Sequence, residues 1–158
     1  PQWTGLPCPE RAKCFAREPL MASFTKFNSF VEALAEKTHN LGSDTLKVVL
    51  TNSAPAAANT VLADITQIAN GNGYTTGGST ATTSSSAQTS GTYKLVLADV
   101  TFTASGSMGP FRYAVLYNDT ATSDELIGYW DYGSSITLAS GETFTVDFDA
   151  TNGVLQLA

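Results

Sequence analysis

The segment Thr45-Leu-Lys-Val-Val-Leu-Thr-Asn52 decides the fold class of this chain. Leu46, Val48 and Leu50 recur at every second residue, which is the period of a β-strand. The residues downstream keep this character, because short apolar runs alternate with turns rich in Gly, Asn and Ser. The pattern predicts a strand over residues 45–52 and a mainly β domain that continues to residue 158.

Six further strand candidates follow this first one. They are residues 93–103, 111–117, 125–132, 135–138, 142–149 and 154–157. The tripeptide Ala139-Ser-Gly141 is predicted to join two of them as a short hairpin. About seven or eight short strands with regular turns predict an antiparallel β-sandwich of jelly-roll type.

Two segments are less decisive. Residues 75–92 contain twelve Ser or Thr among eighteen residues, which fits either a polar linker or an exposed edge strand, and we favour the edge strand. Residues 60–69 fit a short helical turn or a strand equally well, and this choice stays open.

An amphipathic helix is predicted over about residues 24–39. Its apolar residues recur at spacings of three, four and seven; they are Phe24, Phe27, Phe30, Val31, Leu34 and Leu41. Ser29 and Glu32 have the spacing of a capping box, and Gly42 suits the end of the helix. The sequence therefore predicts one N-terminal helix beside the strands.

Residues 21–158 are expected to form a single β-sandwich domain. The preceding residues 1–20 differ in composition, since they are rich in Pro and basic residues and contain both cysteines, Cys8 and Cys14. Met21 resembles the natural start of a protein, so residues 1–20 are interpreted as an extended N-terminal arm or a non-native leader. They lack the apolar centre of a secretory signal, and their cysteines are expected to be reduced or incidental.

Charge and hydropathy argue against two classes of partner. The chain has a net charge of −6 at pH 7, and after Lys47 only Lys94 and Arg112 supply basic side chains. Nucleic-acid binding depends on Lys and Arg that neutralise phosphates, so we expect no nucleic-acid partner. No apolar run approaches the roughly 20 residues of a membrane-spanning helix, so we expect no membrane partner.

This sequence has few residues that could form a catalytic or a metal site. His39 is the only histidine. A serine nucleophile needs a base, and a structural zinc site needs about four Cys or His ligands. We interpret His39 as a residue that interacts favourably with the carbonyl end of the predicted helix. The sequence predicts no catalytic residue, no metal and no cofactor.

Two kinds of site are considered for the acidic residues, a calcium site and the active site of a hydrolase. Asp147 and Asp149 precede Gly153, but this spacing does not match the helix-flanked calcium loop, so we place both on the solvent side of a strand. A further and weaker functional hypothesis is a small hydrolase that uses the carboxylates of Asp131, Asp147 and Asp149. Asp119, Asp124, Glu125 and Asp131 lie near predicted turns or strand ends.

The three aromatic residues Tyr129, Trp130 and Tyr132 have two interpretations. In a strand, Trp130 and Tyr132 share one face and Tyr129 lies on the other. Such a pattern is typical of a β-sandwich core or an interface anchor, and it also suits a platform on which sugar rings stack. We favour the core or interface interpretation.

Five segments together resemble a small structural protein of tailed bacteriophages. They are Met21-Ala-Ser-Phe-Thr-Lys-Phe27, Leu46-Lys-Val-Val-Leu-Thr-Asn-Ser-Ala-Pro55, Gly71-Asn-Gly-Tyr-Thr-Thr-Gly-Gly78, Gly109-Pro-Phe-Arg-Tyr-Ala-Val-Leu-Tyr-Asn-Asp119 and Leu126-Ile-Gly-Tyr-Trp-Asp-Tyr-Gly133. The resemblance extends over residues 21–158, and among such proteins it is most similar to a capsid cement, or decoration, protein.

This resemblance implies a non-enzymatic protein on the outer surface of the capsid, made in the host cytoplasm. It implies the major capsid protein of the phage head as a partner, and a second contact with itself as a dimer or trimer. The candidate interface residues are Phe24, Phe27, Phe30, Tyr113, Tyr117, Tyr129, Trp130 and Tyr132. The alternative is a tail- or fibre-associated module that binds a host glycan or receptor.

Overall fold

The computed structural model describes residues 22–158. In chain order these residues form β1 (Phe24–Lys26), α1 (Ser29–Ala35), β2 (Leu46–Thr51), a 3-10 helix (Leu62–Asp64), β3 (Ser79–Ala81), β4 (Thr83–Thr89), β5 (Thr92–Leu97), β6 (Val100–Thr103), β7 (Met108–Asn118), β8 (Leu126–Leu138), β9 (Thr143–Val146) and β10 (Leu155–Leu157). The prediction of a mainly β fold with one α-helix near its beginning is confirmed. The predicted arm or leader, residues 1–20, lies outside the described residues.

The strands form three antiparallel sheets. The largest has the order β1-β8-β7-β2-β3, the second has the order β10-β5-β4, and the third is the pair β6-β9. The long strands β7 and β8 pair with each other in its centre, where β7 also pairs with β2. The sequence pattern anticipated antiparallel strands, but it did not predict this order.

Two hydrophobic clusters lie on opposite faces of the five-stranded sheet. The larger cluster draws side chains from all three sheets, among them Val48 of β2, Leu95 of β5 and Phe102 of β6. The smaller cluster includes Val49 and Val115, from the alternate positions of β2 and β7. Because both faces of the central strands are buried, their sequences are nearly continuous apolar runs rather than strict alternations.

The predicted helix over residues 24–39 is wrong at both ends. Phe24 lies in strand β1 opposite Trp130, and the helix contains only Ser29–Ala35. Phe27 is buried in the smaller cluster, whereas Phe30 lies in the larger one, so their helical spacing does not describe one helical face. The expected capping box also fails, because Asn28 occupies the N-cap position and makes no side-chain capping bond.

Several strand predictions need correction at their boundaries. Residues 125–132 and 135–138 belong to the single strand β8, and residues 93–103 divide into β5 and β6. The turn at Ala139-Ser-Gly141 exists, since the Glu142 amide donates to the Ala139 carbonyl over 3.0 Å. It is not a hairpin, because β8 pairs with β7 and β1 while β9 pairs with β6.

The Ser/Thr-rich segment is confirmed as edge strands. Strand β3 lies at one edge of the five-stranded sheet, and β4 lies at one edge of the three-stranded sheet. Residues 60–69, which the sequence left open, contain the 3-10 helix. None of the helices within residues 22–158 has the length and apolar character that crossing a membrane would require.

Candidate binding surface

Five aromatic side chains on or beside strand β8 form two groups, with ring contacts inside each group. We call the five together the aromatic row. The row comprises Phe24, Trp130, Tyr132, Phe144 and Phe148. The Trp130 ring centroid lies 5.1 Å from that of Phe24 and 5.4 Å from that of Phe148. The Tyr132 ring meets the Phe144 ring edge to face at 5.5 Å.

The row follows from the pairing of short strands. Trp130 and Tyr132 are two residues apart in β8, as the sequence analysis placed them on one face. Phe24 reaches Trp130 because β1 pairs with β8 in a register that sets these two residues opposite each other. Phe144 and Phe148 come from β9 and the residues after it. Three separate parts of the chain therefore build one surface feature.

Burial gives the row its potential for binding. Phe148 is buried, whereas Phe24, Trp130, Tyr132 and Phe144 are each half-buried. Aromatic pairs at these distances hold one another in place. Phe24, Trp130 and Phe144 also pack against the larger cluster, so solvent reaches only part of each ring. Rigid apolar surface of this kind, at the β1 edge of the largest sheet, suits contact with a protein surface or a sugar ring.

The opposite face of β8 carries an ion pair beside a second aromatic contact. Arg112 donates to both carboxylate oxygens of Asp131, over 2.7 and 2.8 Å. This hydrogen-bonded arginine lowers the pKa of Asp131 below its usual value. The Arg112 guanidinium also lies 5.3 Å from the centre of the Tyr113 ring. Asp131 is therefore held as a charged partner of Arg112.

Four of the eight predicted interface residues are corrected by their burial. Phe27, Phe30, Tyr113 and Tyr117 lie in the interior, with exposed fractions from 0% for Phe27 to 9% for Tyr113. Phe30 belongs to the larger cluster and Phe27 and Tyr117 to the smaller one, while Tyr113 packs its ring against Tyr129. These side chains therefore contribute to the interior and offer little surface to a partner. The other four remain candidates: Phe24, Trp130 and Tyr132 in the aromatic row, and Tyr129 on the opposite face.

His39 does not have the role that the sequence suggested. The helix ends at Ala35, and the His39 ring is only 4% exposed. Its Nδ1 atom lies 3.1 Å from the Asn118 amide nitrogen, and its ring lies 5.4 Å from that of Phe30. Burial lowers the pKa of His39, while the nearby Glu125 and Asp44 oppose this effect. The residue is a neutral part of the interior.

Asp147 and Asp149 were considered above for a calcium site or for hydrolysis, and the structure shows the surroundings of each. Asp149 accepts hydrogen bonds from the Thr151 amide, the Asn152 amide and the Asn152 side chain, at 2.7–2.8 Å. Asp147 and Asp149 are exposed while Phe148 is buried, so the two aspartates face solvent as expected, but they follow β9, which ends at Val146, and do not lie in a strand. Within residues 22–158, His, Cys, Asp and Glu form no group of three that could hold a metal ion.

Sequence reasoning missed two members of the row. Phe144 and Phe148 alternate with polar residues in the predicted strand 142–149, which puts them on one side of it, but this pattern does not place them beside Tyr132 and Trp130. The missing information was the position of β9 next to β8, which depends on contacts between different sheets.

Comparison of the chain with protein-family models, with curated proteins and with solved structures finds no match.

Proposed function

We propose that this chain is a non-enzymatic structural protein of a tailed-bacteriophage virion that decorates and stabilises the capsid. In this proposal it sits on the outer surface of the capsid as a dimer or trimer and contacts neighbouring subunits of the major capsid protein. It is made in the host cytoplasm and binds neither nucleic acid nor membrane. The resemblance of residues 21–158 to such proteins supports the proposal.

The aromatic row is the observation that carries this function. Binding to an assembled lattice requires contact area and a few anchoring side chains, and Trp and Tyr are enriched among such anchors. Trp130 and Tyr132 meet this requirement because neighbouring rings fix them and solvent reaches them. A protein that binds only the assembled capsid stabilises it by mass action.

The architecture is consistent with this role, and we propose that it is a β-sandwich of jelly-roll type. Support comes from the larger hydrophobic cluster, which joins the five-stranded sheet to both smaller sheets. A compact domain with one shared core is a rigid spacer between capsid subunits. Its acidic charge favours a dispersed state of the free protein.

Co-sedimentation with empty, expanded phage heads that lack this protein tests the proposal. We expect binding that saturates at a fixed copy number per capsid subunit. Trp130→Ala should weaken binding by more than tenfold, by analogy with central anchors of other interfaces, which cost about 2 kcal/mol or more on truncation. Val31→Ser is a matched control, because Val31 is 53% exposed on α1 and lies outside the aromatic row.

The tail or fibre module is a second candidate, since half-exposed aromatic rings also suit the apolar faces of sugars. It predicts that host surface polysaccharide changes the fluorescence of Trp130 in a saturable way, in a Trp3→Phe background that leaves Trp130 as the single tryptophan. Folded protein that binds polysaccharide and ignores heads would replace the capsid proposal with this one.

A further inference from the structure

A groove lies at the end of α1, away from the aromatic row. It has a volume of about 450 Å³ and runs between the helix with its following loop and the sheet β10-β5-β4. Its apolar lining comes from Leu34 of α1, Leu41 of the loop, Tyr93 of β5 and Leu157 of β10. The volume falls within the range of about 300–1,000 Å³ that is typical of sites for small organic ligands.

The charge of the groove is unusual for this chain. Lys37 is the one charged residue in the lining, and none of the nine lining residues is acidic. The whole chain, by contrast, carries fourteen Asp and Glu against eight Lys and Arg. Lys37 forms no salt bridge within residues 22–158, where the two ion pairs belong to Lys47 and Arg112. The groove therefore offers an unpaired cation beside apolar walls.

The backbone at Lys37 provides a second, independent observation. Lys37 has a φ of +64° directly after the helix cap Glu36. Glycine is the usual residue at this position, because a side chain makes the left-handed conformation unfavourable by roughly 1 kcal/mol. Gly42, which the sequence analysis assigned to the helix end, instead packs near the Ser86 hydroxyl. A lysine thus occupies a position where the backbone favours glycine, and it is one of the residues that line the groove.

We propose that this groove binds a small amphipathic organic anion, with its apolar body between Leu34, Tyr93 and Leu157 and its carboxylate at Lys37. An apolar body gains from leaving water, and a carboxylate gains from a charge-assisted contact with the ammonium group. An amine of the same size would meet Lys37 as a like charge. This site shares no residue with the aromatic row and is independent of the capsid proposal.

The test uses decanoate and decylamine, below their micelle concentrations, as probes of equal chain length and opposite charge. Amide chemical shifts of the full chain are followed during each titration. We expect saturable shifts from decanoate at residues 34–42, 86, 93 and 157, and weaker binding of decylamine. Lys37→Gln should weaken decanoate binding about tenfold, the loss expected when a charged hydrogen bond is removed.

Three further variants keep the result decisive. Lys26→Gln removes another exposed lysine, on β1, and should leave decanoate binding unchanged. Lys37→Gly should raise the stability of the fold, since it relieves the positive φ, while it weakens binding as Lys37→Gln does. Leu157→Asp, at a residue 39% exposed, should abolish binding without unfolding the protein.

Three outcomes would overturn the proposal. They are the absence of saturable binding, shifts centred on the aromatic row, and equal effects of the two glutamine substitutions. Dimerisation that Leu157→Asp abolishes, with no binding of decanoate, would assign the groove to a second copy of the chain instead.

Discussion

The Asn118 side chain lies 3.1 Å from Nδ1 of His39, and this hydrogen bond sets the tautomer of the neutral histidine. The Asn118 oxygen accepts from the amides of Thr120 and Ala121, so its nitrogen must face His39 and Asp44. Nδ1 of His39 is therefore an acceptor, and the proton resides on Nε2. A proton added to Nδ1 would oppose the Asn118 donor and break this link.

The first prediction concerns acid. Burial lowers the pKa of His39, so the unfolded chain, in which the ring titrates near its ordinary value of 6.5, binds this proton more readily than the native state. Stability is fully present above about pH 7.5 and falls as pH decreases through 6.5 toward the lower native pKa. Urea unfolding between about pH 5 and 8 measures this loss.

His39→Asn separates this effect from other titrations, because the oxygen of the introduced amide can accept from Asn118 but does not titrate. The variant should be less stable at pH 8, since a buried ring is truncated, yet its stability should be nearly constant down to about pH 5. An equal acid dependence in the variant and the wild type would show that His39 is not the responsible group.

The second prediction concerns two adjacent glycines. Gly77 and Gly78 both have positive φ, +94° and +72°. A Cβ at Gly78 would collide with the Val48 carbonyl of the neighbouring strand, whereas the nearest atom to one at Gly77 is the Tyr117 hydroxyl at 3.8 Å. Gly77→Ala should cost about 1 kcal/mol, and Gly78→Ala more than about 3 kcal/mol, because the edge strand β3 must move.

Thermal and urea unfolding of the two variants check this difference, with Gly71→Ala as a further control. Gly71 has a φ of +116° and no atom within 4 Å of a built Cβ. Equal losses of stability at positions 77 and 78 would mean that conformation alone, and not the approach of β2, requires glycine at residue 78.

Only part of the fold was predictable from the sequence. The period of β2 was sufficient to predict its strand, but it did not predict that Val49 on the other face is fully buried, because that burial depends on the second cluster. Phe24 and Phe27, in contrast, have helical spacing but belong to a strand and to the residue that follows it. Pairing of β1 with β8 overrides the local pattern, and the partner lies about 100 residues away.

The aromatic row was only half predictable for the same reason. The alternation in β8 placed Trp130 and Tyr132 on one face without any knowledge of the fold. Which face is half-exposed depends on β1, which pairs with β8, and on β9, which belongs to a different sheet and packs Phe144 against Tyr132. Tyr117 illustrates the converse error, because its position in an aromatic-rich strand resembled an anchor while both faces of that strand are covered.

The third prediction concerns alkali and the buried hydroxyl of Tyr74. It donates to Gln67 over 2.7 Å and accepts from the Leu50 amide at 3.4 Å, and burial raises the pKa of Tyr74 to about 12. A raised native pKa contributes stability that is present below the unfolded value of about 10 and lost as pH rises toward 12. Tyr74→Phe should cost about 1–2 kcal/mol at pH 8 and make the alkaline loss shallower.

Tyr93→Phe is the matched control, since the Tyr93 hydroxyl is paired with Ser86 over 2.8 Å at a half-buried site. Its loss of stability at pH 8 should be smaller than that of Tyr74→Phe, because the Tyr93 site is only half-buried. Urea unfolding at pH 8 and pH 11 measures this loss and the alkaline slope of Tyr74→Phe. A Tyr74→Phe protein with an unchanged alkaline slope would assign that slope to other tyrosines.

The last prediction joins the fold to the aromatic row. A Cβ at Gly128 would meet the Phe24 ring and would lie 2.9 Å from the Thr25 carbonyl, so Gly128→Ala must displace the edge strand β1. Phe24 then leaves Trp130, one side of the indole becomes exposed, and its emission shifts to longer wavelength. We expect a loss of about 1–3 kcal/mol and weaker binding to phage heads, since overpacking at this site disrupts the row.

Gly133→Ala is the control in the same strand. Gly133 has a φ of +88° and nothing within 4 Å of a built Cβ, so this change should cost about 1 kcal/mol and leave the indole emission unchanged. Both variants are measured in the Trp3→Phe background. If Gly128→Ala leaves the emission of Trp130 as it is, then Phe24 does not shield the indole, and β1 is not needed to assemble the row. If the emission shifts while head binding is retained, β1 positions Phe24 but that ring contributes no anchor, and the contact with the capsid would rest on Trp130 and Tyr132.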